Sequence, residues 1–125
     1  LSLMLAGWVW AQQAPPPQQQ PPLPPEEDEK EVAKEYTFNP IQAKNEIRVG
    51  NFYLKKGSWR AAALRFEEAT KWDPMNAEAF LRLAEMREKM KSMPQAVAAY
   101  EKYLELAPEA KDAPLIKKKL AQFKR

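Results

Sequence analysis

The chain has 125 residues, 45% of them apolar and 30% charged, enough for one small domain with its own core and too few for two. It contains neither His nor Cys, which excludes zinc fingers, c-type haem attachment, thiol nucleophiles, disulfide frameworks and imidazole acid–base relays. The net charge of +3 is unevenly spread: residues 26–36 carry six acids against Lys30 and Lys34, net −4, whereas 37–125 carry 18 basic and 11 acidic side chains, net +7. Acids and bases interleave along that body and no nucleic-acid reader motif accompanies them, so nucleic acid is not expected as a partner.

Residues 1–11, LSLMLAGWVWA, form an uncharged apolar run of signal-peptide length, far short of the roughly 20 residues a membrane-crossing helix needs. Val9 and Ala11 stand three and one places before Gln12, the pattern a signal peptidase reads. The segment is therefore expected to be a truncated signal peptide cleaved after Ala11, and the protein to be exported, periplasmic or envelope-associated. Residues 12–25 hold seven of the 12 prolines, which fix φ and remove backbone donors. They are expected to form an extended polyproline II spacer, on the order of 40 Å long at about 3.1 Å per residue. With the acidic run, this makes 12–36 a Pro/Gln-rich and acidic disordered linker.

The body, 37–125, reads as consecutive helices. Asn39-Pro40 supplies an N-cap and a first-turn Pro, and Ile47, Val49, Gly50, Tyr53 and Leu54 recur at helical spacing, predicting a helix over 40–56. Gly57 stops it and Ser58 is expected to cap a second helix, marked by Leu64, Phe66, Ala69 and Trp72 and ending at Asp73-Pro74. Asn76 is expected to cap a third over 77–90, and Ser92, with Pro94 in the first turn, a fourth over 93–106. Small residues are expected to let helices approach closely, Gly50 against Ala62 and Ala84 beside Ala96. Over 112–125, Ile116, Leu120 and Phe123 lie on one stripe ringed by Lys117, Lys118, Lys119, Lys124 and Arg125, predicting a solvating cap helix. Tyr36, Phe38 and Ile41 are expected to cover the outer face of the first helix, and Met75, Met86, Met90 and Met93 chiefly to fill the core.

Displaced by 34 residues, the body matches itself: Ala43 with Ala77, Val49 with Leu83, Gly50 with Ala84, Ala62 with Ala96, Phe66 with Tyr100, Glu67 with Glu101, Trp72 with Leu106 and Pro74 with Pro108. A 34-residue period of helix-turn-helix units is the tetratricopeptide signature. The first unit, 43–76, resembles that family at Gly50, Tyr53, Gly57, Trp59, Ala62, Phe66, Ala69 and Pro74; the second, 77–110, at Phe80, Leu83, Ala84, Ala96, Tyr100 and Pro108. It has Arg87 where an aromatic is usual and Tyr103 where Ala is usual. The resemblance implies an all-α fold: two tetratricopeptide repeats and the C-terminal capping helix 112–125 in a short right-handed α-solenoid, with Gly50, Tyr53, Ala62, Phe66, Ala69, Pro74, Ala84, Ala96, Tyr100 and Pro108 packing the repeats. The stretch GNFYLKKGSWRAAALRFEEATKWDP is similar to the first repeat of BamD-like lipoproteins of outer-membrane β-barrel assembly, which carry a like FYxKKGxYxxAxxRF segment.

Such arrays bind proteins along the concave face lined by the first helix of each repeat. The residues of those helices left outside the inter-helix seam are Lys44, Ile47, Asn51, Leu54, Lys55, Glu78, Leu81, Arg82, Glu85 and Lys89, the candidate partner contacts. Some family members grip a C-terminal carboxylate with Lys and Asn; Asn51 matches one element of that clamp, whereas Ile47 and Arg82 stand where Lys and Asn belong. A non-enzymatic scaffold of the bacterial cell envelope follows, with a protein or peptide partner, no cofactor and no metal, and membrane association only through a partner. An accessory role in outer-membrane protein assembly is the alternative. The carboxylate pairs Glu67/Glu68 and Glu85/Glu88 are adjacent or one turn apart on helices, not opposed across a cleft as acid–base hydrolysis requires.

Overall fold

A computed structural model describes residues 35–125; the expected leader 1–11 and all but the last two residues of the 12–36 linker lie outside them. The described residues form five helices and no strand: α1 Pro40–Lys55, α2 Trp59–Trp72, α3 Ala77–Lys89, α4 Met93–Leu106 and α5 Ala113–Phe123. None of these helices is long and apolar enough to cross a membrane.

Local chemistry sets each boundary. The Asn39 carboxamide oxygen accepts from the Gln42 N–H at 3.0 Å, satisfying one orphan donor of α1, and Pro40 fills a first-turn position where its missing donor costs nothing. Asn76 caps α3 in the same way, accepting from the Ala79 N–H at 3.1 Å. Ser58 and Ser92 do not cap with their side chains as expected. Their backbones are held on both sides instead: the Ser58 N–H donates to the Tyr53 carbonyl at 3.0 Å and its own carbonyl accepts from Ala62 at 2.9 Å. At Ser92 the same pair of bonds runs to Arg87 at 2.8 Å and from Ala96 at 2.9 Å.

The residue before each serine takes the left-handed conformation, Gly57 at φ 75° and Lys91 at φ 62°. Their N–H groups donate back to Leu54 and Glu88, both at 3.0 Å, so that α1 and α3 end in the same pair of reversed hydrogen bonds. The C-caps Asp73 and Ala107 leave the helical region at equivalent places, with φ −141° and −134°, each leading into a short turn closed by Asn76 and Ala110 at 3.1 Å. The backbone geometry therefore repeats every 34 residues, as the sequence does.

Each helix packs on its neighbours in the chain, α1 on α2, α2 on α3, α3 on α4 and, more lightly, α4 on α5. A backbone bond from the Asn39 N–H to the Trp72 carbonyl at 2.9 Å ties the start of α1 to the end of α2. The core is built largely from alanines, with Ile47, Phe66, Leu83, Met86, Tyr100, Tyr103, Ile116 and Leu120 as its larger members. Fully burying an aromatic such as Phe66 is worth about 1.5–3 kcal/mol. The close approach at Gly50 is made by this ring and not primarily by Ala62: a Cβ on Gly50 would lie 2.5 Å from a Phe66 ring carbon. The Phe66 edge occupies the space that the missing side chain leaves.

Other expectations are corrected by the packing. Pro74 and Pro108 are exposed turn residues that stop helices without joining the core. Phe38 and Ile41 are 65% and 74% exposed and cover nothing. Tyr36 does pack, but edge-on against Trp72 of α2 with ring centroids 5.0 Å apart, and its hydroxyl donates to the Glu68 carboxylate at 2.8 Å. Burial and that carboxylate push the Tyr36 hydroxyl up to about 12. The methionines divide: Met86 is fully buried, Met90 and Met93 are partly buried, and Met75 is exposed.

Ile116 and Leu120 of α5 are buried and Phe123 packs beside them, in line with the expected stripe. Both departures in the second repeat have roles. Tyr103, at the place of Ala69, donates from its hydroxyl to Asp112 at 2.6 Å, latching the start of α5 to α4. Arg87, at the place of Tyr53, reaches the Gln95 carbonyl at 3.3 Å and Glu67 of α2 at 3.8 Å, joining three helices.

Candidate ligand-binding groove

On α1, Lys44, Arg48, Asn51 and Lys55 are spaced by four, three and four residues, so they form a single stripe along one helix face. With Ile47 and Phe52 of α1, and Asn76 and Glu78 at the start of α3, this stripe lines an open groove of about 620 Å³. α1 and α3 each pack on α2, and the groove lies on the side where they flank each other. Ile47 is buried and forms its floor, while Phe52 on the rim is 53% exposed.

Lys44, Arg48 and Lys55 face the single carboxylate of Glu78, and none of the three forms an ion pair among the described residues. Arg48 makes only a long contact, 3.5 Å, to the neutral Asn45 side chain. The Asn76 oxygen is taken by its helix cap, which leaves the amide N–H₂ of that side chain as a donor at the groove edge. The groove is thus cationic, with neutral amide donors and an exposed aromatic ring.

A second concavity, about 320 Å³, lies between α3 and α5. Here the charges satisfy one another. Glu88 accepts from the Tyr100 hydroxyl at 2.6 Å and from Lys119 at 3.0 Å. The Lys119 ammonium also lies 5.4 Å from the Tyr100 ring centroid. Burial raises the Glu88 carboxyl, but the hydrogen bonds from Tyr100 and Lys119 and the charges of Lys119 and Lys89 outweigh it and hold the carboxyl below its ordinary value. Burial and the Glu88 carboxylate push the Tyr100 hydroxyl up. The Tyr103 hydroxyl is pushed up to about 12, first by its bond to Asp112 and then by burial.

The ten candidate contacts therefore fall into separate places. Lys44, Ile47, Asn51, Lys55 and Glu78 come together in the cationic groove, and Leu81, Glu85 and Lys89 border the second concavity. Leu54 and Arg82 line neither: Leu54 packs partly buried against the core, and Arg82 is paired with Glu85 at 3.2 Å. Lys89 sits 4.9 Å from the centroid of the Trp59 ring, turned toward α2. Arg48 and Phe52, not expected from the sequence, complete the cationic groove. Their signal was present: Arg48 is four residues from both Lys44 and Phe52.

The paired carboxylates are all engaged within the fold. Glu67 is flanked by Lys71 at 3.7 Å and Arg87 at 3.8 Å, Glu68 accepts from Tyr36, Glu85 pairs with Arg82 and Glu88 with Lys119. Among the described residues no three carboxylates lie close enough together to hold a metal ion. Compared with models of protein families and with curated proteins, the sequence matches none.

Proposed function

We propose that the chain is a short α-solenoid of the tetratricopeptide type that binds an extended segment of a partner protein in the groove between α1 and α3, acting as a non-enzymatic scaffold. The observation that carries this reading is the open groove itself, whose Lys44, Arg48 and Lys55 form no ion pair among the described residues. Charge without an ion-pair partner on a rigid helix face is pre-organised for a ligand, because no internal ion pair has to break when the ligand arrives. The 34-residue repetition of both sequence and cap geometry supports the repeat assignment.

The apolar run 1–11 and the Pro-rich spacer support an exported protein of the bacterial envelope. Within that reading, the FYLKKGSWRAAALRF stretch of α1 and α2 favours an accessory role in outer-membrane protein assembly. A photo-crosslinking residue placed at Asn51 in the full chain, in intact cells, tests the binding site. Crosslinks from Asn51 and none from the same residue at Arg60, on exposed α2 surface, are expected. Crosslinking from Arg60 alone would move the binding surface off the groove, and a mature chain that retains residues 1–11 would contradict export.

A further inference from the structure

The distribution of unpaired charge says what kind of segment the groove accepts, an inference that rests on the groove being the binding site. Most cations on the packed faces of α2, α3 and α4 have a carboxylate beside them. Arg65 has Glu46 at 3.4 Å, Lys71 and Arg87 have Glu67, Arg82 has Glu85 and Lys102 has Glu105 at 3.4 Å. α5 follows suit where it meets its neighbours, with Lys119 on Glu88 and Lys124 on Glu101 at 2.7 Å. On α1 the pattern breaks. Lys44, Arg48 and Lys55 share one helix face with no carboxylate of the described residues closing on any of them, and the half-exposed Phe52 ring, with the Lys56 ammonium 4.5 Å from its centroid, stands among them.

At about 1.5 Å of rise per residue, Lys44 and Arg48 are separated by about 6 Å along α1, and Arg48 and Lys55 by about 10 Å. An extended chain advances about 3.3 Å per residue with every second side chain on one face, so two residues match the first interval, and two or four residues, about 7 and 13 Å, bracket the second within reach of the long Lys55 side chain. A helical ligand would need acids four and seven residues apart for the same spans, so the spacing of acids in a captured segment separates the two forms. Asn51 and the free amide of Asn76 add donors but no acceptor-only group, and Glu78 is the one repulsive element.

We propose that this groove takes an extended acidic segment of a partner protein, its carboxylates set against Lys44, Arg48 and Lys55 and an apolar residue or proline laid on Phe52. Arg48 provides the forked, bidentate grip on a carboxylate, while the two lysines at the ends act as adaptable point charges. The stripe is confined to one helix face about 16 Å long, which suits a single strand of peptide better than the broad phosphate track of a duplex.

The test is fluorescence anisotropy of the full chain with a labelled decapeptide of alternating Glu and Ala, against its Gln/Ala counterpart and a single-stranded oligonucleotide of equal charge. The acidic peptide is expected to bind, with affinity falling as salt rises, and K44E/R48E to weaken it by roughly ten-fold or more while K117E/K118E, an equal charge change on α5, leaves it nearly intact. Should the reversal perturb folding by circular dichroism, K44Q/R48Q replaces it with the same expected direction. Equal binding of the Gln/Ala peptide, equal loss in K117E/K118E, or preference for the oligonucleotide would overturn the assignment. Crosslinks from Asn51 to a partner segment without acids, with the decapeptide ignored, would overturn it and leave the proposed function standing. Absence of both peptide binding and groove crosslinks would overturn the two together.

Discussion

Gly50 is the residue where the first helical pair is most sharply determined. The Phe66 ring carbons approach to 2.5, 2.8 and 2.9 Å of where a Cβ would stand, closer than packed atoms tolerate, and Phe66 is fully buried with nowhere to turn. Ala is intrinsically better than Gly inside a helix by about 1 kcal/mol, yet here the clash dominates. Gly50→Ala is expected to lower stability by about 1–3 kcal/mol in urea denaturation, with a larger loss for Gly50→Leu. An unchanged midpoint would mean that the ring moves freely. The equivalent place in the second repeat holds Ala84, with Tyr100 at the place of Phe66, and both are buried. That small residues would sit there was legible from the sequence. Which atom they make room for was not, because the displaced volume belongs to a side chain 16 positions away.

At the scale of the element, the ends of α1 and α3 show one geometry met by two residues, one suited to it and one not. Gly57 adopts its left-handed backbone without a Cβ penalty, whereas Lys91 adopts φ 62° against a cost of about 1–2 kcal/mol. Lys91→Gly is therefore expected to stabilise by about 0.5–1 kcal/mol, after the added freedom of the unfolded chain is subtracted, and thermal melting checks it. Helix boundaries were legible because Asn39, Pro40, Gly57, Asn76 and Pro94 each act on their own backbone. The serine caps were misjudged, since the reversed bonds before them fix the serine backbone first and leave the hydroxyl out of reach of the helix donors. For α5 the polar latches predict a two-sided response to pH. Glu88 has a folded value held below its ordinary 4.5, so its contribution is complete above that value and disappears as pH falls through the lower folded one. The Tyr103 hydroxyl is raised from 10.0 to about 12, so its contribution is complete below pH 10 and is lost between 10 and 12. Helicity of α5, followed by backbone amide NMR signals, is expected to decline in both windows, and Tyr103→Phe should cost about 1–2 kcal/mol and abolish most of the alkaline response. An alkaline decline that persists unaltered in that variant would place its cause elsewhere.

For the whole molecule, the arrangement of five helices followed from periodicity and punctuation, while the division of the binding face did not. A helical wheel shows which residues leave the seam of one helix, and Glu85 finds Arg82 within that helix, but the partners of Glu88 and Lys89 come from α2, α4 and α5. The second concavity is closed by contacts of long sequence range that no local pattern encodes. Arg87 and Tyr103 read as blemishes in the repeat until α5 and α2 are in place beside them. The cationic groove was half legible, because Lys44, Asn51 and Lys55 already mark its stripe on a single helix.

Packing chiefly between chain neighbours, with α5 reaching back to α3 through Lys119 and Glu88, has a kinetic meaning as well. The main helix pairs need no distant stretch of chain to return, since α1 meets α2 across a turn of a few residues and α3 meets α4 across another of the same form. Such local topologies pay little loop-closure entropy before contacts form, and refolding within about microseconds to milliseconds is expected from stopped-flow or temperature-jump fluorescence of Trp59 and Trp72. The molecule should also come apart unevenly, like a stack lifted from its lighter end. Hydrogen exchange is expected to be fastest in α5 and slowest in α2 and α3, which are clasped from both sides, so the grip on a partner near α1 can outlast fraying at the far terminus.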